Sequence, residues 1–169
     1  MSVVQHTPDL RGTFRHAVSS AWVVTSAYDE VPVGFTAISV VSVSVSPPLV
    51  SFNLSKTSSS RTTIERSGRV ALHLLADHQE HLAHRFAGDR NRRFEPDGEW
   101  HWHPDGLPAL RDAVCRLDSR VVALTDAGDS FVVIAQVEAQ ETSGGRPLMH
   151  HHGSYHASPT DRLAEEAYR

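Results

Sequence analysis

Cysteine is almost missing from this chain, and lysine is almost missing too. Cys115 is the sole cysteine, so no intramolecular disulfide and no cysteine metal cluster can form. Lys56 is the sole lysine, and every other long cationic side chain is an arginine. Formal net charge is −4 with the histidines neutral, a small acidic excess that argues against the clustered cations that counterion release from nucleic acid requires. No stretch approaches the ~20 apolar residues needed to span a bilayer, and Met1 to Arg11 lacks the apolar core of a signal peptide. The expectation is a cytoplasmic protein with no membrane and no nucleic-acid partner. The usual phosphate cradles, G-x-G-x-x-G and G-x-x-x-x-G-K-[ST], are absent. So are the H-E-x-x-H helix and the G-x-S-x-G elbow. Any phosphate-bearing ligand must therefore be held by hydroxyls, loop amides and cations.

What is present is an ordinary globular composition. The chain has 169 residues, enough for one domain and little more. A short helical pattern follows Pro8-Asp9, with Leu10, Phe14, Ala17 and Val18 on one face. Strand texture then dominates. Ala21 to Ala27 is β-branched and aromatic, and Tyr28-Asp29-Glu30 reads as a turn. A long run from Val33 to Val45 ends in Val-Ser alternation, with valines on one face and serines on the other. Pro47-Pro48 stops it, and Leu49 to Leu54 is the next strand. A short helix should be capped near Ser60 and closed by Gly68. Arg69 to Leu75 is strand, and Asp77 and Glu80 make a capping-box-like start to a helix through Phe86.

The last third alternates strands and turns. Glu99 to His103 and Ala113 to Leu124 read as strands. Thr125 to Asp129 carries turn chemistry, and Phe131 to Glu141 pairs back as a hairpin. Gly144-Gly145 leads into Pro147 to His156. Many strands with only short helices indicate a closed or half-closed antiparallel barrel. The expected domain is single, with a core over about 10–156 and residues 157–169 as a tail or short helix.

Two segments offer ligand-binding groups. Gly34-Phe35-Thr36-Ala37-Ile38-Ser39 places a glycine and small residues in a strand, where a backbone or flat ligand can approach closely. Ser55 to Thr62 crowds hydroxyls, Lys56 and Arg61 next to the predicted helix start, a good composition for holding an anion. The same composition is common in plain surface loops. The twelve histidines give no convergent ligand set. His78, His81 and His84 recur at helical spacing, His101 and His103 share a strand face, and His150, His151 and His152 alternate across a strand. No metal is expected. Trp22 reads as core or interface, and Trp100 and Trp102 as either a ligand cover or a partner contact. Cys115 reads as a buried structural thiol.

Taken in order, several blocks resemble the flavin reductase-like family. They are F-R-H-A-V…W-V-V-T, V-G-F-T-A-I-S, S-V-S-P-P-L-V, S-G-R-V-A-L-H-L-L, L-A-H-R-F-A-G, L-P-A-L-R-D-A-V-C-R-L and A-G-D-S-F-V-V-I-A-Q-V-E-A. They run from about Phe14 to Tyr155. The resemblance implies a mainly β fold, an FMN-binding split β-barrel of Greek-key antiparallel type with a few short helices, working as a homodimer. It implies NAD(P)H-dependent reduction of FMN or FAD, with NADH or NADPH as co-substrate, to supply a flavin-dependent monooxygenase. By position, Thr36, Ala37, Ile38 and Ser39 would lie along the isoalloxazine ring. Asn53, Leu54, Ser55, Lys56, Ser58, Ser60 and Arg61 would hold the ribityl chain and phosphate. Phe86 and Arg93 would form another wall, with His151 nearby. Gly128, Asp129 and Ser130 would meet the nicotinamide. Two positions depart from the family pattern: Ile38 replaces a polar residue, and Ser130 replaces the histidine of a Gly-Asp-His turn. A serine can donate a hydrogen bond but carries no imidazolium charge. The alternative is therefore a flavin-bound enzyme of this fold that does not use NAD(P)H.

Overall fold

The valine- and serine-rich run from Val33 to Val45 is not one strand but parts of two, and they lie at opposite edges of the same sheet. The computed structural model describes residues 7–159. After α1 (Leu10–Phe14) come β1 (Ser19–Ser20), β2 (Trp22–Tyr28), β3 (Val31–Ala37), β4 (Val41–Val45) and β5 (Pro48–Ser55). Helix α2 (Arg61–Ser67), β6 (Arg69–Leu74) and α3 (Glu80–Ala87) follow. The remainder is β7 (Trp100–Trp102), β8 (Pro108–Leu110), β9 (Cys115–Ala127), β10 (Ser130–Thr142), β11 (Leu148–His151) and β12 (Ser154–Ala157). No helix among the described residues is long and apolar enough to cross a membrane.

Seven strands form one antiparallel sheet in the order β3-β2-β6-β9-β10-β5-β4. Its two edge strands, β3 and β4, are consecutive in the chain and are joined only by Ile38, Ser39 and Val40. In a flat sheet of this width they would stand ~29 Å apart, whereas four Cα steps span at most ~14 Å. The sheet must therefore curl until its edges face each other. They do not pair across the gap, so the barrel is split and not closed. The break itself, Ile38-Ser39-Val40, carries no Gly, Pro or Asn, which is why the run read as continuous.

Alternation on β2 serves two buried layers. Val24 faces the barrel interior with Phe52, Leu54, Val70, Leu72, Val133 and Ala135, and Ile64 of α2 joins that cluster. Val23 faces outward, under Leu82, Ala83 and Phe86 of α3 and Leu148 of β11. Gly68 closes α2 in the left-handed region at φ 64, as expected. Ser60 takes the N-cap position of α2 as expected, but its side chain makes no capping bond; its buried hydroxyl donates to the Gly34 carbonyl at 3.4 Å.

Other boundaries shift for identifiable reasons. Helix α3 starts after Gln79, whose side-chain oxygen accepts from the Ala76 amide, while Asp77 pairs with Arg146 at 2.8 Å. Pro47 ends one strand, but Pro48 opens the next, a position where its missing N–H costs nothing. Strand β9 continues to Ala127, so the turn is only Gly128-Asp129. With Gly128 at φ 70 in first place, this is the glycine position of a type II′ hairpin. The segment 147–156 is itself a hairpin, reversing at His152-Gly153. The tail expected from residue 157 falls outside the described residues beyond 159.

His73, on the outer face of β6, is fully buried. Its Nδ1 lies 3.2 Å from the Val23 carbonyl and its Nε2 has no partner. Burial, aided by the nearby Arg116 guanidinium, lowers its pKa to about 3. The unfolded chain binds a proton near pH 6.5, and the folded chain does so only near 3. Stability is therefore lost as pH falls through that window. In urea titrations, wild type should lose about 2 kcal/mol more than His73→Gln between pH 7 and pH 5. Equal losses would show that His73 does not carry this penalty.

Candidate functional site

Curling the sheet brings β3, the end of β5 and the α3 C-terminus around one cavity of about 560 Å³. Its lining is Phe35 and Thr36 from β3, Asn53 and Ser55 from β5, Thr57 and Ser58 from the following loop, Phe86 and Ala87 from α3, then Arg93 and Ser130. No carboxylate lines it.

Gly34 is the hinge of its construction. A Cβ there would lie 3.0 Å from the Phe86 ring and 3.0 Å from the Val24 carbonyl. The close approach expected at this glycine is thus made by the Phe86 ring, before any ligand is considered. The Gly34 carbonyl also accepts from Arg93 Nη1 at 2.7 Å. Arg93 Nη2 donates to the Gly88 carbonyl at 2.8 Å, and Nε is buried without a partner. Burial lowers the Arg93 pKa, and no carboxylate pairs with it among the described residues. A guanidinium held this way retains charge for an incoming anion.

Of the residues expected at a cofactor, Thr36, Asn53, Ser55, Ser58, Phe86, Arg93 and Ser130 meet in this cavity. The Thr36 hydroxyl is already committed, donating to the Ala83 carbonyl at 2.6 Å. Ser39 sits in the β3–β4 link, and its hydroxyl accepts from the Asn53 amide at 2.9 Å. Ile38 is 43% exposed on the same link. Ala37 and Leu54 point their side chains into the barrel core.

Lys56 and Arg61 do not line the cavity. Lys56 pairs with Asp126 at 2.7 Å, Arg61 with Glu65 at 2.8 Å, and both cations approach the Phe131 ring. Lys56 is therefore paired within the chain, and Arg93 is the cation that lines the cavity. His151 lies on β11 beside His152, away from this lining. Ser130 ends the Gly128-Asp129 turn, where its hydroxyl donates to Asp129 Oδ1 at 2.9 Å, while the Asp129 carbonyl accepts from the Lys56 amide.

Phe35, Thr57 and Ala87 complete the lining without having been singled out. Thr57 is one hydroxyl among many in its loop, so composition cannot rank it. Trp100 and Trp102 extend an edge-to-face ladder from Phe86 through Phe94, with centroids 5.2, 5.0 and 5.6 Å apart. They buttress α3 from behind and do not line the cavity. Elsewhere, His103, Asp105 and Asp118 converge closely enough to suggest a cation site. Arg116 occupies it, donating to Asp118 at 2.7 Å and Asp105 at 2.8 Å.

The family model for the flavin reductase like domain matches residues 14–159. The chain belongs to that family. Among flavin reductase-like relatives, the NADH:FMN oxidoreductase of Rhodococcus erythropolis is 38% identical over 153 residues, covering 88% of this chain and 80% of that protein. The flavin-dependent monooxygenase reductase subunit HsaB of Rhodococcus jostii is 33% identical, covering 87% and 75%. The crystal structure of a flavin reductase domain protein from Arthrobacter sp. FB24 superposes with a TM-score of 0.83 at 32% identity, covering 90% of this chain and 96% of that one.

Gly34→Ala should destabilise the fold by about 1–3 kcal/mol through overpacking against Phe86. Urea denaturation measures it, and an unchanged midpoint would mean that Phe86 moves aside freely.

Proposed function

We propose that this chain is an NAD(P)H-dependent flavin reductase that reduces FMN or FAD and supplies the reduced flavin to a partner monooxygenase. The observation that carries this reading is a carboxylate-free cavity, walled by Phe35 and Phe86, into which a half-buried Arg93 without an ion-pair partner among the described residues is set. Aromatic walls suit a flat ring, hydroxyls suit a polyol chain, and a guanidinium suits a phosphate. The relatives named as an NADH:FMN oxidoreductase and as a monooxygenase reductase subunit support the same reading.

When bound, a flavin supplies the hydride-accepting ring and a nicotinamide supplies the hydride. The chain's residues orient and enclose. Phe35 and Phe86 provide the apolar walls. Asn53, Ser55, Thr57 and Ser58 offer polar groups along one side, and Arg93 holds the negative end. Ser130, at the tip of the β9–β10 hairpin, borders the cavity where a nicotinamide would enter. Hydride transfer needs no protein acid or base, so the absence of a triad is no obstacle. A single domain covers the working parts, and the one cysteine fits a cytoplasmic location.

The active form is a homodimer. Strand β4 is an edge strand whose valines face outward: Val41, Val43 and Val45 are exposed, Val45 by 87%. An unpaired apolar edge of this kind invites pairing. Light scattering should give a dimer for wild type and a monomer for Val43→Glu; a monomeric wild type would overturn the dimer.

The decisive assay is NADH and NADPH consumption by the purified protein with FMN and with FAD, alongside a visible spectrum. Flavin-dependent consumption is expected. A yellow protein that ignores both nicotinamides would overturn the reductase reading in favour of a flavin-bound enzyme, the alternative that Ser130 favours. Ser130→His should raise the NADH oxidation rate, and no gain would count against nicotinamide binding at this turn.

A further inference from the structure

A second cavity, of about 260 Å³, lies along the other half of β3. Val31, Pro32 and Val33 of the edge strand form its apolar wall, and Ser59, Arg90 and Asn91 line it from the loops opposite. Arg93 lines both cavities, so the two adjoin through one guanidinium.

The arginines of this loop are not equivalent. Arg85 pairs with Asp97 and Arg92 pairs with Glu95 at 2.9 Å. Arg90 and Arg93 have no ion pair among the described residues. The nearby Asp89 carboxylate accepts from the Asn91 amide at 3.0 Å and caps the short 3-10 turn. Two unpaired guanidiniums, a side-chain amide and a hydroxyl thus face an apolar wall. That combination suits a phosphorylated nucleoside, with the phosphate on the cations and the base or sugar against Val31 and Val33.

We infer that this second cavity is a subsite for the adenylate half of a flavin dinucleotide, with Arg93 bridging its pyrophosphate, so that the chain prefers FAD to FMN. This rests on the flavin reductase reading above. FMN would fill the larger cavity and reach Arg93. Only the dinucleotide continues past Arg93 to Arg90 and Asn91.

Calorimetric titration of the full chain with FMN and, separately, FAD tests the inference. The Kd for FAD should lie at least about tenfold below that for FMN. The double variant Arg90→Ala/Asn91→Ala should raise the FAD Kd about tenfold and leave the FMN Kd within about twofold. Arg90→Glu, which keeps a long polar side chain in the loop, should reproduce the selective loss. Equal Kd values in wild type, or equal losses for both flavins in the variants, would overturn the inference while leaving flavin binding intact. Weaker NADPH binding in the variants with FAD unaffected would also overturn it, because the cavity would then serve the nicotinamide nucleotide. Failure of wild type to bind either flavin would overturn the reductase reading together with this one.

Discussion

Three residues, Ile38, Ser39 and Val40, connect the two outermost strands of a seven-stranded sheet. That short link cannot cross the face of an open sheet, so it obliges the sheet to curl. Much else follows from it. Curling encloses the apolar faces of β2, β5, β6 and β10 around Phe52, Leu54 and Leu72. It also sets the C-terminal half of β3 opposite the end of β5, although β4 and a hairpin separate them in the chain. The Ser39 hydroxyl ties the link to the Asn53 amide, fixing that approach. The cavity is thus a consequence of how the barrel fails to close.

Gly34 concentrates the remaining constraints. Its carbonyl receives the Ser60 hydroxyl from the start of α2 and the Arg93 guanidinium from the loop after α3. Its missing side chain admits the Phe86 ring. Three segments distant in sequence are therefore referenced to one peptide unit. Rigid positioning of this kind is what hydride transfer demands, because the rate depends on holding two reactants at the right distance and angle. It also explains why the site has few ionisable side chains. The chain's contribution is shape and one fixed charge.

The strands of the fold were legible because period-two alternation and turn chemistry survive in the sequence. Gly68 and the existence of the β9–β10 hairpin could be placed from residues alone, although its turn is shorter than the Thr125 to Asp129 segment expected. Boundaries failed where the local signal was ambiguous. The break at Ile38–Val40 contains only β-branched and small residues, and no local preference marks a change of sheet edge. At the site, Thr36, Asn53, Ser55, Ser58, Phe86, Arg93 and Ser130 were nameable by position. The fate of Lys56 was not. Its charge is settled by Asp126, seventy residues away on β9, and a pairing at that separation leaves no trace in the sequence.

The same limit governs the arginines. Arg85, Arg90, Arg92 and Arg93 look alike in the sequence, and only geometry separates those already matched with Asp97 and Glu95 from those that are not. A half-buried guanidinium with an unsatisfied Nε and no carboxylate carries a desolvation cost, moderated by its partial exposure to solvent. Two backbone carbonyls offset part of this for Arg93. A charge retained at such a position is best explained by an anion that is not part of the chain. The acidic residues of the same loop show that neutralisation within the chain was available: Glu95 and Asp97 pair with Arg92 and Arg85, whereas Arg93 faces the cavity.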